Sequence, residues 1–342
     1  MNRLFEILFL KRIKAIGKVK FYKTYYPELM NGMSFEELKN LVMAQEKRIL
    51  PDDINKAVQD SQTVYQNIIN REDINAITVF DADYPEALSA MGTKRPMVLF
   101  LKGNPEALKK PQVSIIGTRE PTEWSSKIEI RLVHRIINNY DCSILSGLAL
   151  GCDTLAHKVT LSEDKTTVAV LPSGFDFIYP AANKKIADSI IQKNGCLITE
   201  YEPSTKSQKS FFIERDAIVA ALSTFIFVIE CSVKSGTMHT VDYGKEYEKK
   251  IACYIPNSDN IGPEYAGNLH IKNQLNGYAI SGLDALLRFC DQAGIPRICV
   301  QEKEYSIKLT ELELTTLINI LNQTVMEDQV RQNLLNKLKS IK

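Results

Sequence analysis

The 342-residue chain has no apolar run of the ~18 residues that a membrane-spanning helix needs. The nearest, Ala217 to Cys231, is shorter and is broken by Ser223 and Thr224. There is no CxxC pair. The seven cysteines and four histidines (134, 157, 239, 270) show no zinc-type spacing, so no metal site is expected. An odd number of mostly apolar-flanked cysteines points to buried free thiols in a reducing, cytoplasmic compartment. Neither sign of charge is in excess. The 42 Lys+Arg against 41 Asp+Glu leave a net +1, which excludes a polybasic nucleic-acid binder and confines any such surface to a local patch. GxxxxGK[ST] is missing, which excludes a phosphate-loop NTPase. GxGxxG is missing too, since Gly147-Leu148-Ala149-Leu150-Gly151 has the wrong spacing for a dinucleotide loop. No Ser-His-Asp or Cys-His order stands out, the first ten residues lead to no small-residue cleavage site, and no repeat or low-complexity tract is present.

What is present is an ordinary globular composition, 44% hydrophobic and 24% charged, with length enough for two or three domains. One event recurs through the middle of the chain. Val113-Ser114-Ile115-Ile116, mostly β-branched, runs into Gly117-Thr118-Arg119 and then a helical pattern from about Trp124 to Asn139. Cys142–Ser146 runs into Gly147, with Gly151 and Asp153 close behind. Thr167–Leu171 runs into Pro172-Ser173-Gly174, Cys196–Thr199 into Glu200, and Phe225–Ile229 into Glu230 and Ser235-Gly236-Thr237. Strands apolar on both faces and separated by helices predict a parallel sheet covered on both sides. The carboxyl ends of all five strands would then share one edge, and their loops one crevice.

Gly117-Thr118-Arg119 suits an anion. The glycine admits a ligand close to the backbone, the helix start offers free N–H groups, and Arg119 carries a fork-shaped charge. Taken alone, the tripeptide fits a plain strand-to-helix turn with a solvated Arg equally well. Asp153 and His157 lie one helical turn apart and read as a helix cap with its support, or as a catalytic pair. Lys206 to Arg215 mixes cations with Phe211 and Phe212 before a helix, which suits base stacking with phosphate contact, or else a core Phe among solvated lysines.

Residues 1–75 read as helical. Ser34 and Glu37 form a capping-box pair before Leu38 and Leu41. Residues 1–50 hold ten Lys/Arg against five Asp/Glu, with six of the cations between Lys11 and Lys23. Ile13-Lys14-Ala15-Ile16-Gly17-Lys18-Val19 resembles a helix–hairpin–helix turn, and a solvated basic face on a small bundle is the competing reading. The expected organisation is a helical domain over 1–75 (helix–hairpin–helix or SAM-like), an α/β domain over 77–290, and a short helical tail over 306–342.

Residues in order resemble the DNA-processing protein family, DprA (also called Smf), over about residues 78–290. They begin with Asp83-Tyr84-Pro85-Glu86-Ala87-Leu88, then Val98–Leu101 with Gly103-Asn104, then Gly117-Thr118-Arg119. Ser146-Gly147-Leu148-Ala149 follows with Gly151, Asp153, Ala156 and His157. Ala169–Leu171 comes next, with Gly174, Asp176, Tyr179, Pro180 and Asn183. Leu197–Glu200, Phe212 with Arg215, Leu222-Ser223 and Ser235-Gly236-Thr237 complete the series. The resemblance implies an extended Rossmann-like α/β fold, a parallel sheet with helices on both faces, preceded by a small all-helical domain. It implies a homodimer that binds single-stranded DNA without sequence preference and loads RecA during natural transformation and recombination, with no cofactor and no catalysis. By the same resemblance Arg119 grips a phosphate; Ser146, Ser173 and Gly174 line the pocket; Lys209 and Phe212 meet backbone and base; and Arg215 sits at the next helix start. Gly117, Thr118, Gly147, Asn183, Ser235, Gly236 and Thr237 complete the DNA-binding set.

The chain departs from that family in three places. Arg215-Asp216-Ala217 stands where the family usually has Arg-Asn-Arg, Pro256-Asn257-Ser258 lacks the family's glycine, and the winged-helix tail of many members is missing or reduced to residues 308–342. An acid for an amide and a lost cation should weaken DNA affinity locally. The alternative is a nucleotide sensor, or a hydrolase similar to the nucleoside-monophosphate phosphoribohydrolases. Their Pro-Gly-Gly-x-Gly-Thr-x-x-Glu loop corresponds to Lys234–Thr240, which lacks the double glycine and the glutamate.

Overall fold

A computed structural model of the protein describes residues 3–258 and 261–298; the tail expected over 306–342 lies outside the described residues. The apolar runs form the strands, and the chain order is simple. Helices α1 (Leu4–Arg12), α2 (Phe35–Gln45) and α3 (Pro51–Ile69) come first, with Lys18–Lys20, the π-helical Phe21–Tyr25 and Tyr26–Met30 running on as one segment between α1 and α2. Ser34 starts α2 with the expected capping box, its side chain accepting from Glu37 N while Glu37 reaches back to Ser34 N. Strands β1 (Asn75–Thr78), β2 (Val98–Gly103) and β3 (Gln112–Ile116) follow. The repeating units are then α4 (Glu123–Asn139), β4 (Ser143–Ser146), α5 (Cys152–Ser162), β5 (Thr167–Val170), α6 (Lys184–Gln192), β6 (Cys196–Thr199), α7 (Lys209–Leu222), β7 (Phe225–Val228), α8 (Thr237–Glu246), β8 (Lys250–Tyr254), α9 (Ala266–Gln274), β9 (Tyr278–Ile280) and α10 (Leu283–Gln292).

The nine strands make one sheet in the order β1-β2-β6-β5-β4-β3-β7-β8-β9. The pairs from β6 to β9 are parallel, while β1–β2 and β2–β6 are antiparallel. This is the parallel sheet with helices on both faces that the sequence predicts. Strand period decides which side chain goes where. Val113 and Ile115 pack with Leu132, Val133 and Ile136 of α4 on one face. Ile116 packs on the other with Ile218 and Val219 of α7 and Val241 of α8. The chain begins its parallel run at β3, proceeds outward through β4, β5 and β6, then returns to the far side of β3 with β7. The loops leaving β3 and β7 therefore diverge to opposite faces, and a crevice opens between them.

The N-terminal helices do not float. Leu4, Leu8, Phe9 and Phe21 share one buried cluster with Val98 and Phe100 of β2 and Leu197 of β6, and residues to Ile298 pack as one compact unit. The basic segment is tied down by ion pairs. Arg12 holds Glu202 with two bonds of 2.6 and 2.8 Å, Lys18 Nζ lies 2.5 Å from Glu200, and Lys20 Nζ lies 2.5 Å from Glu46. Two of these three carboxylates belong to the segment after β6, so much of the positive charge around the helix–hairpin–helix-like turn is neutralised inside the molecule. Among the described residues no helix is long and apolar enough to cross a membrane.

Phe9 is fully buried and meets Phe35 edge-on at 5.2 Å. Phe9→Ala is expected to cost about 3–5 kcal/mol. Because the core is shared, the loss should appear in the unfolding transition reported by Trp124, the only tryptophan, which sits on α4. A Trp124 transition unmoved by Phe9→Ala would show that the helices unfold separately from the sheet.

Candidate nucleic-acid interface

The crevice at the switch point encloses about 460 Å3. Its walls come from the loops after β3, β4 and β7 and from one face of α7. The β3 loop is fixed at both ends. Thr118 N donates to Glu230 O at 2.7 Å, Cys152 N donates to Thr118 O at 3.1 Å, and Thr237 Oγ1 donates to Gly117 O at 3.0 Å. The Glu230 carboxylate accepts from Thr122 N and Oγ1 at 3.1 and 2.7 Å, and Thr122 caps α4 through Ser125 N. With its backbone satisfied this way, the loop leaves Arg119 exposed, with no hydrogen bond or ion pair among the described residues.

The β4 loop is built more tightly. Asp153 Oδ2 accepts from Gly147 N at 3.0 Å and Ala149 N at 3.2 Å. Asn183 Nδ2 donates to Leu148 O at 2.8 Å and to Ala149 O at 3.2 Å. Leu148 is held at φ 57° with its side chain fully buried, a conformation that costs a non-glycine residue about 1–2 kcal/mol. Gly151, at φ 75°, could not carry a Cβ, which would press on the backbone of Thr118 and Arg119. Behind the loop lies Arg215, 6% exposed. Its Nη1 donates to Gly147 O and, at 3.4 Å, to Val170 O, and its Nε donates to Asp216 at 2.8 Å. Burial raises the carboxyl pKa of both Asp153 and Asp216, and the Arg215 charge works against that rise. Phe212, one turn before Asp216 on α7, presents its ring to the crevice. It meets Tyr179 at 81° with centroids 5.1 Å apart.

The family described as DNA recombination-mediator protein A matches residues 75–288. The chain belongs to that family. It is 32% identical over 216 residues to DNA processing protein DprA of Streptococcus pneumoniae, covering 63% of this chain and 74% of that one. It is 33% identical over 195 residues to its counterpart in Bacillus subtilis, covering 57% and 64%. The solved S. pneumoniae structure superposes with a TM-score of 0.69 at 24% identity, over 83% of this chain and 96% of that one, a likeness of fold. DNA processing protein A of Helicobacter pylori, whose structure concerns that protein's single-stranded DNA binding mode, superposes with a TM-score of 0.56 at 28% identity, over 64% and 96%.

The DprA-family motifs fall unevenly on the site. Gly117, Thr118, Arg119, Gly147, Phe212, Arg215, Ser235, Gly236 and Thr237 line the crevice together. Four other expected residues stand behind it. Ser146 and Ser173 are fully buried, their hydroxyls donating to Ile115 O and Phe177 O. Gly174 packs against the backbone of Glu202 and Pro203, and Asn183 is the buried brace of the β4 loop. Ser146, Ser173 and Gly174 thus support the walls; their small size serves packing. Lys209 is exposed at the first position of α7, beside the lining. Arg215, expected at a helix start, is the seventh residue of α7 and points inward. Five loops share the strand-end edge, yet the one after β6 turns to the N-terminal helices through Glu200 and Glu202. Asp216, His239 and Thr240 also line the crevice, and an adjoining hollow adds Leu150, Pro172 and Tyr179. Spacing on α7 and α8 was the available signal for the first group, since residues one turn from a lining residue share its face.

Asp153 does not cap α5, whose N-cap is Gly151, and His157 is not its partner. His157 is fully buried, with Nδ1 2.7 Å from Thr167 Oγ1 and Nε2 without a partner. Thr167 donates its own hydroxyl to Ile144 O, so Nδ1 carries the proton and donates to Thr167. Burial pushes the imidazole pKa down to about 3. The unfolded chain takes up a proton near pH 6.5 that the folded chain refuses. Stability from this residue is therefore complete above pH 6.5 and falls by about 1.4 kcal/mol for each unit below it, until the folded value is reached. Thermal unfolding at pH 7 and pH 5 should show a steeper drop for the native chain than for His157→Gln, and equal drops would rule out this assignment.

Proposed function

We propose that the chain binds single-stranded DNA without a fixed sequence across this crevice, as a DNA-processing protein in DNA uptake and recombination. The observation that carries the reading is the pairing of an exposed, unpartnered Arg119 with the Phe212 ring across one crevice at the strand-end switch point. A guanidinium for phosphate and an aromatic face for a base are what a single strand requires. Lys209 at the start of α7, and Lys206, 5.2 Å above the Phe177 ring, extend the cationic rim. Gly236 and Thr237 at the start of α8 add backbone N–H groups at the positive end of a helix. The H. pylori relative's single-stranded DNA binding mode and the family match support the same reading.

Binding rather than catalysis fits the commitments of the polar groups. Asp153 holds two loop amides, Asp216 pairs with Arg215, and the six described cysteines are all buried. The further parts of the reading are a homodimer and RecA loading, which rest on the family resemblance, and a cytoplasmic location, which rests on the cysteine usage.

A labelled single-stranded oligonucleotide titrated at two salt concentrations tests the reading. Native protein should bind, and weaken as salt rises. Arg119→Ala should lose about tenfold in affinity, roughly one charge-assisted contact. It should also flatten the slope of log affinity against log salt by about 0.7, one phosphate's share. No binding by the native chain would favour a mononucleotide in the same crevice instead.

A further inference from the structure

The inner crevice is chemically unlike its mouth. At the mouth Arg119 is exposed and unpaired. Inside, the positive charge of Arg215 is turned away into the loop and covered by carboxylates. Asp216 lines the crevice with one oxygen accepting from Arg215 Nε at 2.8 Å, while its other oxygen makes no hydrogen bond among the described residues. That oxygen is not buried out of reach, since it is absent from the buried, unpartnered atoms. A carboxylate only accepts hydrogen bonds and repels phosphate. Around Asp216 the crevice thus disfavours a phosphate and favours a group with hydrogen-bond donors.

Phe212 and Asp216 are four residues apart on α7 and so share one helix face. A base laid on the Phe212 ring would lie in the same crevice and on the same helix face as Asp216, within reach of a hydrogen bond from its edge. The four bases differ in what that edge offers. Guanine carries two adjacent donors, N1–H and the N2 amino group, with the spacing of a carboxylate fork, and the Asp216 oxygen that accepts from Arg215 Nε keeps a second lone pair for one of them. Adenine and cytosine offer one amino group beside an acceptor. Thymine offers one imide N–H between two carbonyl oxygens, which face the carboxylate unfavourably. An extruded base read on this edge is recognised by such hydrogen bonds.

Resting on the DNA reading above, we infer that the crevice holds one base of the bound strand and prefers guanine there, with Asp216 as the group that reads it and Arg119 holding a phosphate outside. Most of the strand is then bound without regard to sequence, and one position is not. The asparagine that the family places here would present one acceptor and one donor, and would not make that selection.

Competition measures this directly. A fluorescent thymine strand of about 12 nucleotides, within the usual site size, is displaced from the full chain by unlabelled strands of the same length. These carry a single guanine, adenine or cytosine, or thymine alone. The guanine strand should compete about tenfold better than the others, the worth of one bidentate base contact. Asp216→Asn should bring all four strands level while binding the thymine strand at least as tightly, because a negative charge has gone. Four equal strands with the native protein would overturn the inference while leaving DNA binding intact, and this holds even if the variant fails to fold. A guanine preference that survives in Asp216→Asn would overturn the role of Asp216. No binding by any strand would overturn the DNA reading and this inference together.

Discussion

The buried guanidinium of Arg215 is the interaction on which the site depends. A buried charge is tolerated only where its partners are close and well aimed, and removing one partner of such a set costs about 3–5 kcal/mol. Here the partners come from three places: Gly147 O from the β4 loop, Val170 O from the end of β5, and Asp216 from its own helix. One side chain thus binds α7 to two strand ends. It also explains Gly147, where any Cβ would run into the guanidinium. The amides of that same loop are held from the other side by Asp153, and its carbonyls by Asn183. The positive φ of Leu148 persists because all of these contacts specify it together.

Sheet order supplies the space that this loop walls. Parallel strands with diverging connections leave a gap at one place along their carboxyl edge, and β3 beside β7 is that place. Other loops on the same edge are free for other work. The segment after β6 spends Glu200 and Glu202 on Lys18 and Arg12, and so fastens the N-terminal helices to the sheet. The crevice and the clamp on the N-terminal helices are two uses of one edge, and α7 stands between them, with Glu214 facing Lys18 and Asp216 facing the crevice.

Local pattern carried much of this into view. The five apolar runs ending in small or charged residues are strands, because β-branched residues buried on both faces have few other homes. Ser34 and Glu37 are a capping box because both partners lie within one helical turn. What stayed hidden was every feature decided by a distant partner. Arg12 meets Glu202 across 190 residues, and no window of the sequence holds both. Ser146 and Ser173 look like pocket residues beside their glycines, yet their hydroxyls are consumed by backbone carbonyls that only the folded sheet brings near. His157 and Asp153, matched by spacing, are separated by the needs of the β4 loop and of Thr167.

The near-zero net charge of the chain then loses its weight against nucleic-acid binding. What binds phosphate is not the sum of charges but the cations left without partners. Arg12, Lys18 and Lys20, in the most basic stretch of the sequence, are neutralised by Glu202, Glu200 and Glu46. Arg119 and Lys209, which lie outside that stretch, are exposed and unpaired among the described residues. Counterion release follows the second set. The molecule therefore separates its charges by depth: free cations at and beside the mouth of the crevice, carboxylates farther in, and an aromatic ring between them. For a strand bound as proposed, that gradient favours the backbone outward and a base turned in.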